Sequence, residues 1–88
     1  MWWILIEENH GSSDAKEWRT STVKVNGDRW LARAKAEELA RTHVPRHPAF
    51  AQRRSVLKVD DDHWVTIVQG ATRDYHFRVT VAELVHDE

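Results

Sequence analysis

Basic residues are concentrated in one part of this 88-residue chain. The segment 41–58 contains five arginine or lysine residues, two histidines and no acidic residue, whereas the rest carries eight basic and fourteen acidic residues. A local field of this kind can attract an anion or an acidic partner although the net charge of the whole chain is only −1. One candidate function is therefore anion binding.

Only the loop part of this segment lacks a structural explanation. Arg41 and His43 fall in the last turn of a predicted helix, where the helix dipole stabilises cations, and Lys58 can oppose the acidic turn that follows it. The guanidinium group of an arginine can donate two parallel hydrogen bonds to a phosphate or a carboxylate, and binding residues are often found in loops. Neighbouring strand residues point to opposite faces, however, so Arg53 and Arg54 cannot serve one site without distortion. The candidate anion-binding residues are Arg46, His47, Arg53 and Arg54.

The histidines do not form a recognised metal motif. His43 and His47 have the spacing of two ligands on one helix face, but Pro45 lies between them. Neutral imidazoles could hold zinc, copper or nickel if they met on a sheet face. The residues that could meet there are Asp62, His63, His76 and either His10 or His86. Because no dense ligand motif and no cysteine occur, we expect no metal and no cofactor.

Enzyme chemistry has little support in these residues. The serines lack the context of a nucleophile elbow, and no glycine-rich phosphate loop is present. Glu7 and Glu8 point to opposite faces of a predicted strand and cannot form a carboxylate pair. The chain is interpreted as non-enzymatic, with an enzyme whose cleft is completed by a dimer as the alternative.

Size and composition predict one domain, residues 1–88, in an ordinary globular class, with 41% hydrophobic and 31% charged residues. The near-neutral charge argues against a dedicated nucleic-acid binder. No stretch approaches the roughly 20 apolar residues of a membrane span, so no membrane partner is expected. The absence of cysteine fits a reducing compartment, and we predict a cytoplasmic protein.

The first half of the chain predicts two strands and a helix. Residues 2–8 are apolar on both sides of the pleat, which indicates a central strand, and residues 18–25 form its antiparallel hairpin partner. Asp28 is a candidate N-cap for a helix from Arg29 to about Val44. One helix face carries Ala32, Ala36, Leu39, Ala40 and His43.

The second half predicts three strands, over residues 53–59, 63–69 and 74–82, joined by tight turns. The order β-β-α-β-β-β indicates an α+β fold, a mostly antiparallel sheet with one helix packed on one face. Thr80 and Glu83 also match a capping box, so a short helical turn at the end is the alternative.

A turn at residues 70–73 sets the register of the last hairpin, because pairing can be counted outward from Gln69 and Asp74. One face is then strongly apolar and suits the helix: it carries Trp64, Thr66, Val68, Tyr75, Phe77 and Val79. The opposite face pairs Ile67 with His76, Val65 with Arg78 and His63 with Thr80. The first strand adds either Trp3 and Leu5 or Ile4 and Ile6 to this opposite face.

An uncovered, half-apolar sheet face suggests an interaction surface, and a homodimer is the commonest arrangement. The candidate interface residues are Val65, Ile67, His76 and Arg78. The alternatives are a strongly curled sheet or a connection in which Phe50 folds over this face. The favoured function is a small non-enzymatic module that self-associates through this face; the alternative is an anion or nucleic-acid phosphate binder using the basic loop 46–54.

The carboxy-terminal pattern 74–83, DYHFRVTVAE, follows a strand that bears Trp64 and ends at Gly70. A helix that enters the loop Pro45-Arg46-His47-Pro48 precedes both. In these features the chain resembles a group of short, uncharacterised actinobacterial proteins of similar length and plan. The resemblance implies a shared structural plan but no activity and no functional residue.

Overall fold

In the computed structural model, one helix packs against one face of a five-stranded antiparallel sheet. The structure describes residues 1–10, 17–45, 51–71 and 73–88. The elements are β1 (Trp2–His10), β2 (Glu17–Val25), α1 (Arg29–Thr42), β3 (Arg53–Asp60), β4 (His63–Gln69) and β5 (Asp74–Glu83). The predicted α+β class, with a mostly antiparallel sheet and a single helix, is confirmed for this part of the chain.

The strands lie in the order β2-β1-β5-β4-β3, so β5 is central and β2 and β3 are the edges. β1 lies inside the sheet, as its apolar residues on both faces predicted. The predicted register of the last hairpin is also confirmed: Thr66 lies opposite Phe77, and Ile67 lies opposite His76. Counting from a short turn was sufficient here because a one-residue slip would have moved every apolar side chain to the wrong face.

α1 begins at the predicted cap, where the Asp28 carboxylate accepts a hydrogen bond of 2.9 Å from the backbone N–H of Leu31. Its three fully buried residues are Ala32, Ala36 and Ala40, and these small side chains let the helix lie close to the sheet. The helix ends at Thr42, two residues earlier than predicted.

The carboxyl end of α1 is tied to the sheet by side-chain donors. The Thr66 hydroxyl donates to the carbonyl of Ala40 at 2.7 Å, and the Arg54 guanidinium donates to the carbonyls of Ala40 and His43 at 3.3 and 2.7 Å. These contacts satisfy carbonyls that have no partner within the helix. The core beneath the helix contains Ile4, Ile6, Trp64, Val68, Phe77, Val79 and Val81.

β5 continues to Glu83, and the backbone N–H of Leu84 then donates to the carbonyl of Met1 at 2.9 Å. The capping-box alternative does not form, because Thr80 lies in the strand between Leu5 and His63. In the part of the chain that the structure describes, no helix is long and apolar enough to cross a membrane.

Candidate functional site

The sheet face directed away from α1 has no covering element in the described residues. We call it the open face. It carries residues from all five strands, including Trp3, Leu5, Glu7, Trp18, Thr20, Thr22, Lys24, Arg53, Ser55, Leu57, His63, Val65, Ile67, Gln69, His76, Arg78, Thr80 and Ala82.

The structure brings the four predicted interface residues together at the centre of the open face. Val65 lies directly opposite Arg78, and Ile67 lies directly opposite His76, on the adjacent strands β4 and β5. The side chains of Val65 and Ile67 are half-buried, whereas His76 and Arg78 are exposed. The result is a patch in which two aliphatic side chains on β4 lie beside an imidazole and a guanidinium on β5.

β1 places Trp3 and Leu5 on the open face. Ile4 and Ile6 are instead 0% and 3% exposed and belong to the core under the helix. The sequence left both choices open because β1 is apolar on both sides. Pairing of Leu5 with Thr80 on β5 decides between them.

Arg78 is the centre of a stacked cluster. Its guanidinium carbon lies 4.3 Å from the ring centroid of Trp18, and its terminal nitrogen lies 3.6 Å from a carboxylate oxygen of Glu7. The ring of His76 meets the ring of Trp18 edge-on, with centroids 5.5 Å apart. Trp18 was not among the predicted interface residues, because it lies on β2 and reaches β5 only across the intervening strand.

A shallow depression of about 380 Å³ lies beside this cluster. It is lined by Val59, Asp60, His63, Trp64, Val65, Arg78 and Thr80. Its size falls in the range of pockets that take a small ligand or a partner side chain.

The candidate anion-binding residues are separated. Arg54 lies on the helix side of β3, where its guanidinium donates to two carbonyls of the helix end. Arg53 is exposed on the other side of the strand, as the alternation predicted. Arg46 and His47 lie outside the described residues, so their part of this prediction stays a prediction.

Two of the histidines considered as metal ligands, His63 and His86, have carboxylate partners, and the side chain of His10 lies outside what the structure describes. Nδ1 of His63 lies 2.7 Å from a carboxylate oxygen of Asp60, and Nε2 of His86 lies 3.0 Å from Glu88. His63 and His76 are separated along the strands by roughly 13 Å, four residues at about 3.3 Å each. Among the described residues, no group of three or more histidine or carboxylate side chains could hold a metal ion.

Asp62 joins the start of the helix to the β3–β4 turn. Its carboxylate accepts hydrogen bonds from Arg29 and from Nε of Arg33, the latter at 2.9 Å. The guanidinium of Arg29 also lies over the ring of Trp2, at 5.2 Å from its centroid. The two arginines hold the pKa of the Asp62 carboxyl well below its ordinary value, because they stabilise the charged form.

We expect Asp62→Asn to lower the free energy of unfolding at neutral pH. The free energy of unfolding of this variant should also change less with pH in the acid range. The pKa of the Asp62 carboxyl is lower in the folded state than in the unfolded state, where it is about 4, so the ionised carboxylate stabilises the fold at pH values above about 4. This stabilisation is lost as the pH falls through the pKa of the folded state. We estimate that the free energy of unfolding falls by about 1–2 kcal/mol. Hydrogen bonds between buried charged groups contribute more than this, but both arginines are partly exposed to solvent. Urea unfolding at pH 7 and at pH 2 measures both effects.

Asp61→Asn is the matched control, since the Asp61 side chain is 70% exposed and pairs only with Lys58 at 3.4 Å among the described ion pairs. Its stability should change by less than about 0.5 kcal/mol at either pH. Equal losses for the two variants would show that Asp62 has no special role.

Comparison with known proteins identifies no relative: no family model, no curated protein and no solved structure matches the chain. The resemblance to short actinobacterial proteins therefore stays a prediction.

Proposed function

We propose that this protein is a small non-enzymatic interaction module that self-associates into a homodimer through the open face. The supporting observation is that apolar side chains lie on a sheet face that no described element covers. Leu57 is 49% exposed, and Trp3, Leu5, Val65 and Ile67 are half-buried. Contiguous exposed apolar surface on a small protein commonly marks a contact with another chain.

The strand order suits pairing with a second copy. β1 and β4 lie on either side of the central β5, and both carry apolar residues on the open face. A two-fold axis parallel to β5 would lay β1 of one copy on β4 of the other. Trp3 and Leu5 would then approach the side of the partner that carries Val65 and Ile67, as the inner faces of a β-sandwich do.

The open face approaches the size of a standard protein–protein contact. Five strands at a spacing of about 4.8 Å are roughly 24 Å wide, and a seven-residue strand is roughly 23 Å long. A standard interface buries about 800 Å² on each partner. The longer strands β1, β2 and β5 extend parts of the face to roughly 30 Å, and the relief of the side chains adds to the projected area.

The charges at the centre of the open face are already compensated within each copy. Arg78 is paired with Glu7 and stacked on Trp18. Burial of this arginine in a dimer would therefore not leave an isolated charge, which is the costly case. The stacked ring also gives the contact a rigid aromatic anchor.

Ile67→Glu tests the open face, because it places a carboxylate at the centre of the proposed contact. We expect the dissociation constant of the dimer to rise by roughly 30-fold or more, the effect of losing a hot-spot residue. The fold should survive, since Ile67 is not in the core under the helix. Sedimentation equilibrium gives the mass, and far-ultraviolet circular dichroism checks the fold.

Val85→Glu is the matched control, an equivalent change at a residue that is 86% exposed and lies outside the sheet. It should leave the association unchanged. If Ile67→Glu associates as strongly as the control, the open face is not the interface.

The alternative function, binding of an anion or of nucleic-acid phosphate by the basic loop 46–54, has less support. Arg54 uses two of its donors on the helix end, and Arg53 points to the opposite side of β3. Binding through phosphates must weaken steeply with salt. A titration with a short single-stranded oligonucleotide at low and high salt tests this alternative.

A further inference from the structure

His76 lies on the central strand of the open face and is exposed in a single copy. The neighbouring elements β4 and β2 present uncharged side chains to it: Ile67 lies directly opposite, and the ring of Trp18 meets the imidazole edge-on with centroids 5.5 Å apart. The guanidinium of Arg78 lies on the same indole ring, at 4.3 Å from its centroid. A proton on His76 would therefore place a second cation beside one aromatic ring.

The charged groups of the open face around His76 balance one another. On β5 its neighbours on this face are Asp74 and Arg78, two residues to either side. Glu7 of β1 lies 3.6 Å from Arg78. Arg53 of β3 lies in the same cross-strand row as Asp74. These two acidic and two basic side chains leave no surplus of negative charge, among the described residues, to hold a proton on His76.

The proposed two-fold axis lies over β5 and parallel to it, so each open-face residue of β5 faces its own copy. Two packed sheets are about 10 Å apart, and the side chains of both inner faces meet between them. His76 of one copy would therefore face His76 of the second copy, away from water. Two neutral imidazoles can pack in this position, whereas two imidazolium ions would repel one another and lose their hydration.

We propose that His76 makes the dimer sensitive to pH: the two copies associate when its imidazole is neutral and separate when it is protonated. This inference rests on the proposed function, because it concerns the same contact. Histidine is the side chain whose charge changes between about pH 5 and 8. Protons bind more readily to the separated chains, in which His76 is exposed, than to the dimer. By linkage, acid therefore shifts the equilibrium toward single chains.

The other histidine of the open face lies in a different environment. Nδ1 of His63 lies 2.7 Å from a carboxylate oxygen of Asp60, at the end of β3. That carboxylate compensates a proton on His63, so protonation there should weaken the dimer less. His63→Gln is therefore the matched control for His76→Gln.

Sedimentation equilibrium of the wild-type chain at about pH 7.5 and at about pH 5.5 tests the proposal. We expect the dissociation constant to be about tenfold or more higher at the lower pH. His76→Gln should dimerise equally at both pH values, because glutamine stays uncharged, and His63→Gln should keep the pH dependence of the wild type. His76→Arg carries a permanent charge and should associate weakly at both. Far-ultraviolet circular dichroism at each pH checks that the chains are folded.

The outcomes separate this inference from the proposed function. Equal dissociation constants for the wild type at the two pH values overturn the pH sensitivity and leave the open-face dimer standing. A pH dependence that persists in His76→Gln, or that disappears in His63→Gln, overturns the assignment to His76 in the same way. A wild-type chain that is monomeric at both pH values overturns the proposed function and this inference together.

Discussion

Phe77→Ala is expected to remove most of the stability of this fold. Phe77 is the largest fully buried side chain, with 0% exposure. Truncation of a buried phenylalanine costs about 3–5 kcal/mol, from lost burial and from the cavity. Domains have a total stability of about 5–15 kcal/mol, and a chain this small belongs at the lower end. Urea titration followed by circular dichroism measures the loss.

The surroundings of Phe77 make relaxation into the cavity difficult. The ring of His43 packs edge-on against it with centroids 5.0 Å apart, and the guanidinium of Arg54 lies 5.7 Å from its centroid. Both neighbours are held at the helix end by other hydrogen bonds. Phe77→Leu is the control, because it keeps most of the volume and should cost clearly less. A loss below about 1 kcal/mol for Phe77→Ala would contradict this description of the core.

Ala36→Leu is expected to destabilise the fold by about 1–3 kcal/mol, although leucine is a good helix former. Ala36 is fully buried in the middle of the stripe by which α1 contacts the sheet. Three added carbon atoms cannot fit there unless the helix moves away from β5 and β4. The change in the urea midpoint at an unchanged slope measures the effect.

Ala34→Leu is the matched control for this prediction. It makes the same change on the same helix, but residue 34 is exposed. Its stability should change by less than about 0.5 kcal/mol. If the two variants lose equal stability, close packing of the alanine stripe is not what fixes the position of the helix.

Features set by neighbouring residues could be predicted from the sequence. The β4–β5 register followed from a short turn, and the buried face of α1 followed from alanine spacing. The opposite orientations of Arg53 and Arg54 followed from strand alternation. Each of these depends on the period of a helix or a strand, or on counting residues outward from a turn.

Features set by distant contacts could not be predicted. The face occupied by Trp3 depends on the pairing of β1 with β5, and the contact of Trp18 with Arg78 spans three strands. The use of Arg54 at the helix end requires β3 to lie beneath that end. Sequence analysis assigned Arg54 to the candidate anion-binding loop, because the carbonyl groups that it binds lie 11 and 14 positions away in the chain.

The most direct test of self-association through the open face is sedimentation equilibrium of the wild-type chain beside the Ile67→Glu variant, from low to high micromolar concentration. The proposal predicts a wild-type mass above the 10.3 kDa of one chain, and a smaller mass for the variant at every concentration. A wild-type mass of 10.3 kDa throughout, or equal masses for the two chains, would contradict it.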